Sequence, residues 1–70
     1  MEDKQKICDK LLEALQLTRQ YEDLKSLIYL RGGVDHETVT ALFAQGSTQE
    51  INVSMDSGAA MVRDILKALA

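Results

Sequence analysis

The first apolar stripe of this chain is helical. Between Lys4 and Thr18, Ile7, Cys8, Leu11, Leu12 and Leu15 recur at intervals of three and four, with Asp9, Lys10, Glu13 and Gln16 between them, which predicts an amphipathic helix with one buried side. A different period follows. Thr38-Val39-Thr40-Ala41-Leu42-Phe43 is β-branched and alternating, and Ile51, Val53 and Met55 alternate with Asn52 and Ser54, so two strands are expected around the turn Gln45-Gly46-Ser47-Thr48. Gly46 can supply the positive φ that such a turn needs. The register predicted for this hairpin sends Val39, Ala41 and Phe43 inward against Ile51, Val53 and Met55, and Thr38, Thr40, Asn52 and Ser54 outward.

The strand ends at Asp56-Ser57-Gly58, where Asp56 or Ser57 can cap a final helix carrying Ala59, Val62, Ile65, Leu66 and Leu69 on its buried side. Residues 21–31 read two ways. Leu17, Tyr21, Leu24 and Ile28 continue the helical period, whereas Leu27-Ile28-Tyr29-Leu30 suits a strand. A two-stranded ribbon is marginal alone, so a third strand from about Asp23 to Leu30 is favoured over one long helix ending at Gly32-Gly33. Gly32 to Glu37 then reads as a loop. The expected fold is α+β in the order α-β-β-β-α, a three-stranded antiparallel sheet with two helices on one face, as one domain over residues 1–70.

Composition narrows the class. With 46% hydrophobic residues but no Trp and one Phe, the core must be aliphatic and the chain globular. A domain this small has little stability to spare, so an uncovered apolar face is expected to serve a purpose. The single Cys excludes a disulfide framework and points to a reducing, cytoplasmic setting, and the start of the chain reads as neither signal peptide nor membrane span. Net charge is −3; beyond Gly32 only Arg63 and Lys67 oppose Asp35, Glu37, Glu50, Asp56 and Asp64, which disfavours a phosphate backbone as partner.

The chemistry-bearing residues form no recognisable constellation. Asp56-Ser57-Gly58-Ala59 could offer helix amides to an anion, but a carboxylate at Asp56 would occupy them, and capping is the better reading. Gly32-Gly33 lacks the Lys and Ser/Thr of a phosphate loop. His36 stands between Asp35 and Glu37 in a segment without further ligands, and Cys8 lies on an apolar stripe as a small hydrophobe. No catalytic, cofactor or metal residue is expected. If the first strand turns Leu24, Ile28 and Leu30 toward the helices, then Leu27 and Tyr29 face outward with Leu42, giving an apolar patch on the open side of the sheet. Leu27, Tyr29 and Leu42 are therefore the expected interaction residues, for a homodimer or a protein partner, although a slip of one residue would exchange the strand's two faces.

The order α-β-β-β-α at this length resembles the double-stranded-RNA-binding domain, and that likeness implies RNA binding as the alternative function. The family places a lysine-rich cluster at the start of its second helix, where this chain has Asp56-Ser57-Gly58-Ala59-Ala60, so the residues depart from the pattern. The runs Tyr21-Glu22-Asp23-Leu24-Lys25-Ser26, Ile51-Asn52-Val53 and Asp56-Ser57-Gly58-Ala59-Ala60-Met61 look like small uncharacterised proteins of bacteria and their phages. This second likeness implies a compact accessory protein and transfers no site residue. The function expected from the sequence is a small intracellular interaction module or accessory subunit, not an enzyme, self-associating through the open sheet face.

Overall fold

A computed structural model of the chain describes residues 2–70. They run α1 (Lys4–Gln16), a short 3-10 turn (Arg19–Tyr21), β1 (Leu24–Gly33), β2 (His36–Phe43), β3 (Thr48–Asn52) and α2 (Gly58–Leu69). The strands form one antiparallel sheet in the order β1-β2-β3, and both helices pack on the same face of it, leaving the other face open. This is the expected α-β-β-β-α arrangement, with residues 21–31 resolved in favour of the strand.

Local chemistry sets the ends of the helices. Asp3 caps α1, its Oδ1 accepting the Lys6 amide at 3.0 Å. The helix stops at Gln16, short of the expected Thr18, because Thr18 turns its hydroxyl back to donate to the Leu15 carbonyl at 2.6 Å. At α2 the cap is Ser57, whose Oγ accepts from Ala60 N at 3.1 Å. The carboxylate at that helix start comes from the beginning of the chain rather than from Asp56: Gly58 N donates to Glu2 Oε1 at 2.9 Å. A Cβ at position 58 would meet the Glu2 carboxylate and come within 2.7 Å of Ile7 Cδ1, so the tips of these two side chains would have to shift for any larger residue here.

The core joins Cys8 and Leu15 of α1, Met61 and Ile65 of α2, and the inward positions Leu24, Leu27, Val39, Ala41 and Ile51, with Val53 just beyond β3. Val39 lies opposite Ile51, and the register expected for the β2–β3 hairpin holds from Val39 to Val53. Gly46 takes φ 93° at its turn. Met55 departs from the expectation. It is 79% exposed at φ 63°, because the chain has already left the sheet and turned, with Asp56 N bonded to Val53 O at 3.0 Å. A left-handed methionine costs roughly 1–2 kcal/mol, and here its amide gains a carboxylate partner in Glu37 at 2.9 Å.

Two further corrections concern β1. The segment expected as a loop, Gly32 to Glu37, is mostly strand: only Val34 and Asp35 form the turn, and Gly32 is accommodated as an irregularity between the pairs Arg31–Glu37 and Gly33–His36. At the other end Leu24 lies opposite Phe43 but Ser26 opposite Leu42, so Lys25 is an extra residue, a β-bulge. The bulge resets the alternation. Leu24 and Leu27 both face the helices and are buried, whereas Ile28 and Leu30, expected inside, are 46% and 55% exposed.

Cys8 is fully buried, and burial, with a smaller contribution from the Asp9 charge, pushes its thiol up to about 11. A thiol reagent such as Ellman's reagent is expected to label Cys8 only as fast as the fold opens, so labelling should accelerate in step with urea unfolding; rapid labelling of the native protein would contradict the packing.

Candidate functional site

Glu37 is the most constrained charged group of the fold. On β2 it shares the helix-facing side with Val39 and Ala41, and it is only 7% exposed. A carboxylate in that position is tolerated only with partners. Lys4 of α1 donates to its Oε1 at 2.6 Å and the Tyr29 hydroxyl of β1 donates to the same oxygen at 2.5 Å. Met55 N donates to Oε2. Ser54 Oγ accepts the Glu37 amide at 3.0 Å and donates to the Glu37 carbonyl at 3.3 Å, while Lys4 Nζ stands 5.7 Å from the Tyr29 ring centroid. One side chain thus ties α1, β1 and the β3–α2 connection to the middle strand.

The electrostatics follow from those bonds. Hydrogen bonds from Lys4, then Tyr29, then Met55 N hold the Glu37 carboxyl down at about 2. The bond to Glu37 raises the ionisation of both Lys4 and Tyr29 above their ordinary values. Beside the cluster lies an open groove of about 550 Å³, lined also by Glu2, Gln5, Arg31 and Asp56. Asp56 Oδ2 is buried without a hydrogen-bond partner, and the neighbouring Asp64 carboxyl, together with burial, raises the Asp56 pKa. General acid–base work at neutral pH favours a group that titrates near 7; the Glu37, Lys4 and Tyr29 shifts all lead away from that range. The arrangement is a clamp.

The residues expected to form the interaction patch are separated by the bulge. Leu27 is 1% exposed in the core and Tyr29 is half-buried beneath Lys4, both on the helix side; Leu42 alone of the three lies on the open face. The apolar side chains that do share the open face are Ile28 and Leu30 of β1 with Leu42 of β2, the last 37% exposed. Around them stand Ser26, Thr38, Thr40, Thr48 and Asn52, and Glu50 is the one charged side chain at the paired positions of this face. The sequence signal for the exchange was the three-residue spacing of Leu24 and Leu27, which alternation alone does not explain. The clamp had no signal, since its members come from positions 4, 29 and 37.

The fold and its surface therefore define a small α+β domain with one polar clamp and one bare, nearly neutral sheet face. No helix among the described residues is long and apolar enough to cross a membrane. Comparison of the chain with protein-family models, curated proteins and solved structures finds no match.

Proposed function

We propose that this protein is a non-enzymatic intracellular interaction module that self-associates through its open sheet face. The observation that carries this reading is the cluster of Ile28, Leu30 and Leu42, three large apolar side chains left in water on one side of a sheet whose other side is fully used. Covering them with a matching surface recovers hydrophobic stabilisation that a domain of 70 residues has little means to forgo. The charge distribution favours a second copy as the cover. The chain carries −3 overall, yet Glu50 is the one charged side chain at the paired positions of its open face, so two such faces approach with little like-charge repulsion.

Sedimentation equilibrium over a wide concentration range tests this. The expected result is a mass that rises with concentration toward twice 7.8 kDa. Leu30→Glu should hold the mass at the monomer value while leaving the circular dichroism spectrum unchanged, and its urea midpoint should match that of the wild type only at concentrations where the wild type is itself monomeric. A wild-type chain that stays monomeric at millimolar concentration would refute the proposal.

A further inference from the structure

The two edges of the sheet are finished differently. In an antiparallel ladder the backbone groups of successive residues point alternately to one side and the other. Phe43 N bonds to Ser47 O at 2.9 Å and Val53 N to Glu37 O at 3.0 Å. With Ala41 opposite Gln49 and Val39 opposite Ile51, these bonds direct the backbone of Gln49 and Ile51 toward β2 and that of Thr48, Glu50 and Asn52 outward. The same alternation turns Leu27 and Tyr29 outward at the β1 edge. There the Gln5 carboxamide accepts the Tyr29 amide at 2.8 Å and donates to the Leu27 carbonyl at 3.1 Å, the two bonds that a peptide group of a neighbouring strand would make. Gln16 donates to the Leu24 carbonyl at 3.0 Å. Among the described residues nothing bonds to the outward backbone groups of Thr48, Glu50 and Asn52.

We propose that the β3 edge takes up an extended peptide segment of a partner as a fourth antiparallel strand, and that this segment carries a basic residue opposite Glu50. The free amides and carbonyls supply the main-chain bonds of strand addition. Glu50 supplies the selectivity: it is exposed at the centre of β3, and a directly opposed Lys or Arg on the added strand pairs with it. The same residue disfavours a second copy at this edge, because symmetric β3–β3 pairing centred there sets Glu50 against Glu50. The surface is distinct from the open face, and a molecule made monomeric by Leu30→Glu keeps it.

The test uses a blocked seven-residue peptide, Thr-Val-Thr-Lys-Thr-Val-Thr, its counterpart with Glu in place of Lys, and amide hydrogen exchange read by NMR on both the wild-type and the Leu30→Glu protein. At millimolar peptide the amides of Thr48, Glu50 and Asn52 should exchange at least about tenfold more slowly. The Lys peptide should bind about fivefold more tightly than the Glu peptide, and Glu50→Lys should reverse that order. N-methylation of the Lys and both Val residues should abolish binding, whereas N-methylation of the Thr residues at positions three and five of the peptide should leave it. Protection at Leu27 and Tyr29 instead, insensitivity to the methylation pattern, or absence of protection by either peptide would overturn the proposal. So would protection of the β3 amides in the free protein that grows with protein concentration, which would assign the edge to a second copy.

Discussion

Leu27→Ala is expected to lower the free energy of unfolding by about 2–5 kcal/mol, and Ile28→Ala by less than about 1. The contrast between adjacent residues of one strand follows from the bulge at Lys25. Leu27 is 1% exposed within the buried core cluster, so its truncation leaves a cavity that close-packed neighbours cannot collapse around. Ile28 points the other way, is already 46% exposed, and loses little. The total stability of a domain this size is roughly 4–10 kcal/mol, so Leu27→Ala is expected to shift the urea midpoint by a large fraction of its value. Urea denaturation of the two variants at a protein concentration where the wild type is monomeric decides it. Equal losses, or a greater loss for Ile28→Ala, would mean that β1 presents its other face to the helices.

The second large effect is the response of the clamp to acid. Glu37 holds its proton more weakly in the fold than in the unfolded chain, at about 2 against an ordinary 4.5. Its carboxylate therefore contributes stability fully above about pH 4.5, and that contribution is lost as pH falls from there toward 2. Glu37→Gln keeps the size and removes the charge. The variant should be less stable than the wild type at pH 7, and the difference should shrink through this window until the two unfold together near pH 2. Lys4 and Tyr29 act with the opposite sign: their ionisations are raised, so what they contribute is present below their ordinary values of 10.5 and 10.0 and is lost in stronger alkali. Asp56 is also raised, so protonating it favours the fold, but that contribution is common to wild type and variant. Taking the difference between the two proteins across pH isolates Glu37. A gap that stays constant down to pH 2 would contradict the clamp.

Much of this fold could be read from residue order because local rules and tertiary packing agree along most of it. The stripe of α1, the alternation from Val39 to Val53, the left-handed Gly46 and the cap at Ser57 each depend on residues close in sequence. The failures have a common physical origin in irregular backbone. Period-two reasoning carries an error past every inserted residue, and the unpaired Lys25 exchanged the assigned faces of Leu27, Tyr29, Ile28 and Leu30 in a single step. Paired glycines at Gly32-Gly33 signalled a loop, yet they sit in strand beside a two-residue turn. On α2 Met61 is buried and Leu66 is 39% exposed, a small rotation of the stripe that periodicity could not fix. The clamp was illegible for a different reason: Lys4 and Glu37 are separated by 33 positions, and only the finished packing brings them together.

Gln5 has a consequence for how the molecule fails. Its carboxamide closes the β1 edge only while α1 is docked, so detachment of that one helix exposes backbone at Leu27 and Tyr29 together with the apolar side chains α1 had covered. A partly opened molecule of this kind presents a sticky strand before the rest of the domain has melted. The first helix is thus also the guard of the β1 edge, with the Gln5 amide side chain as the stopper at Leu27 and Tyr29 and Gln16 beside it at Leu24.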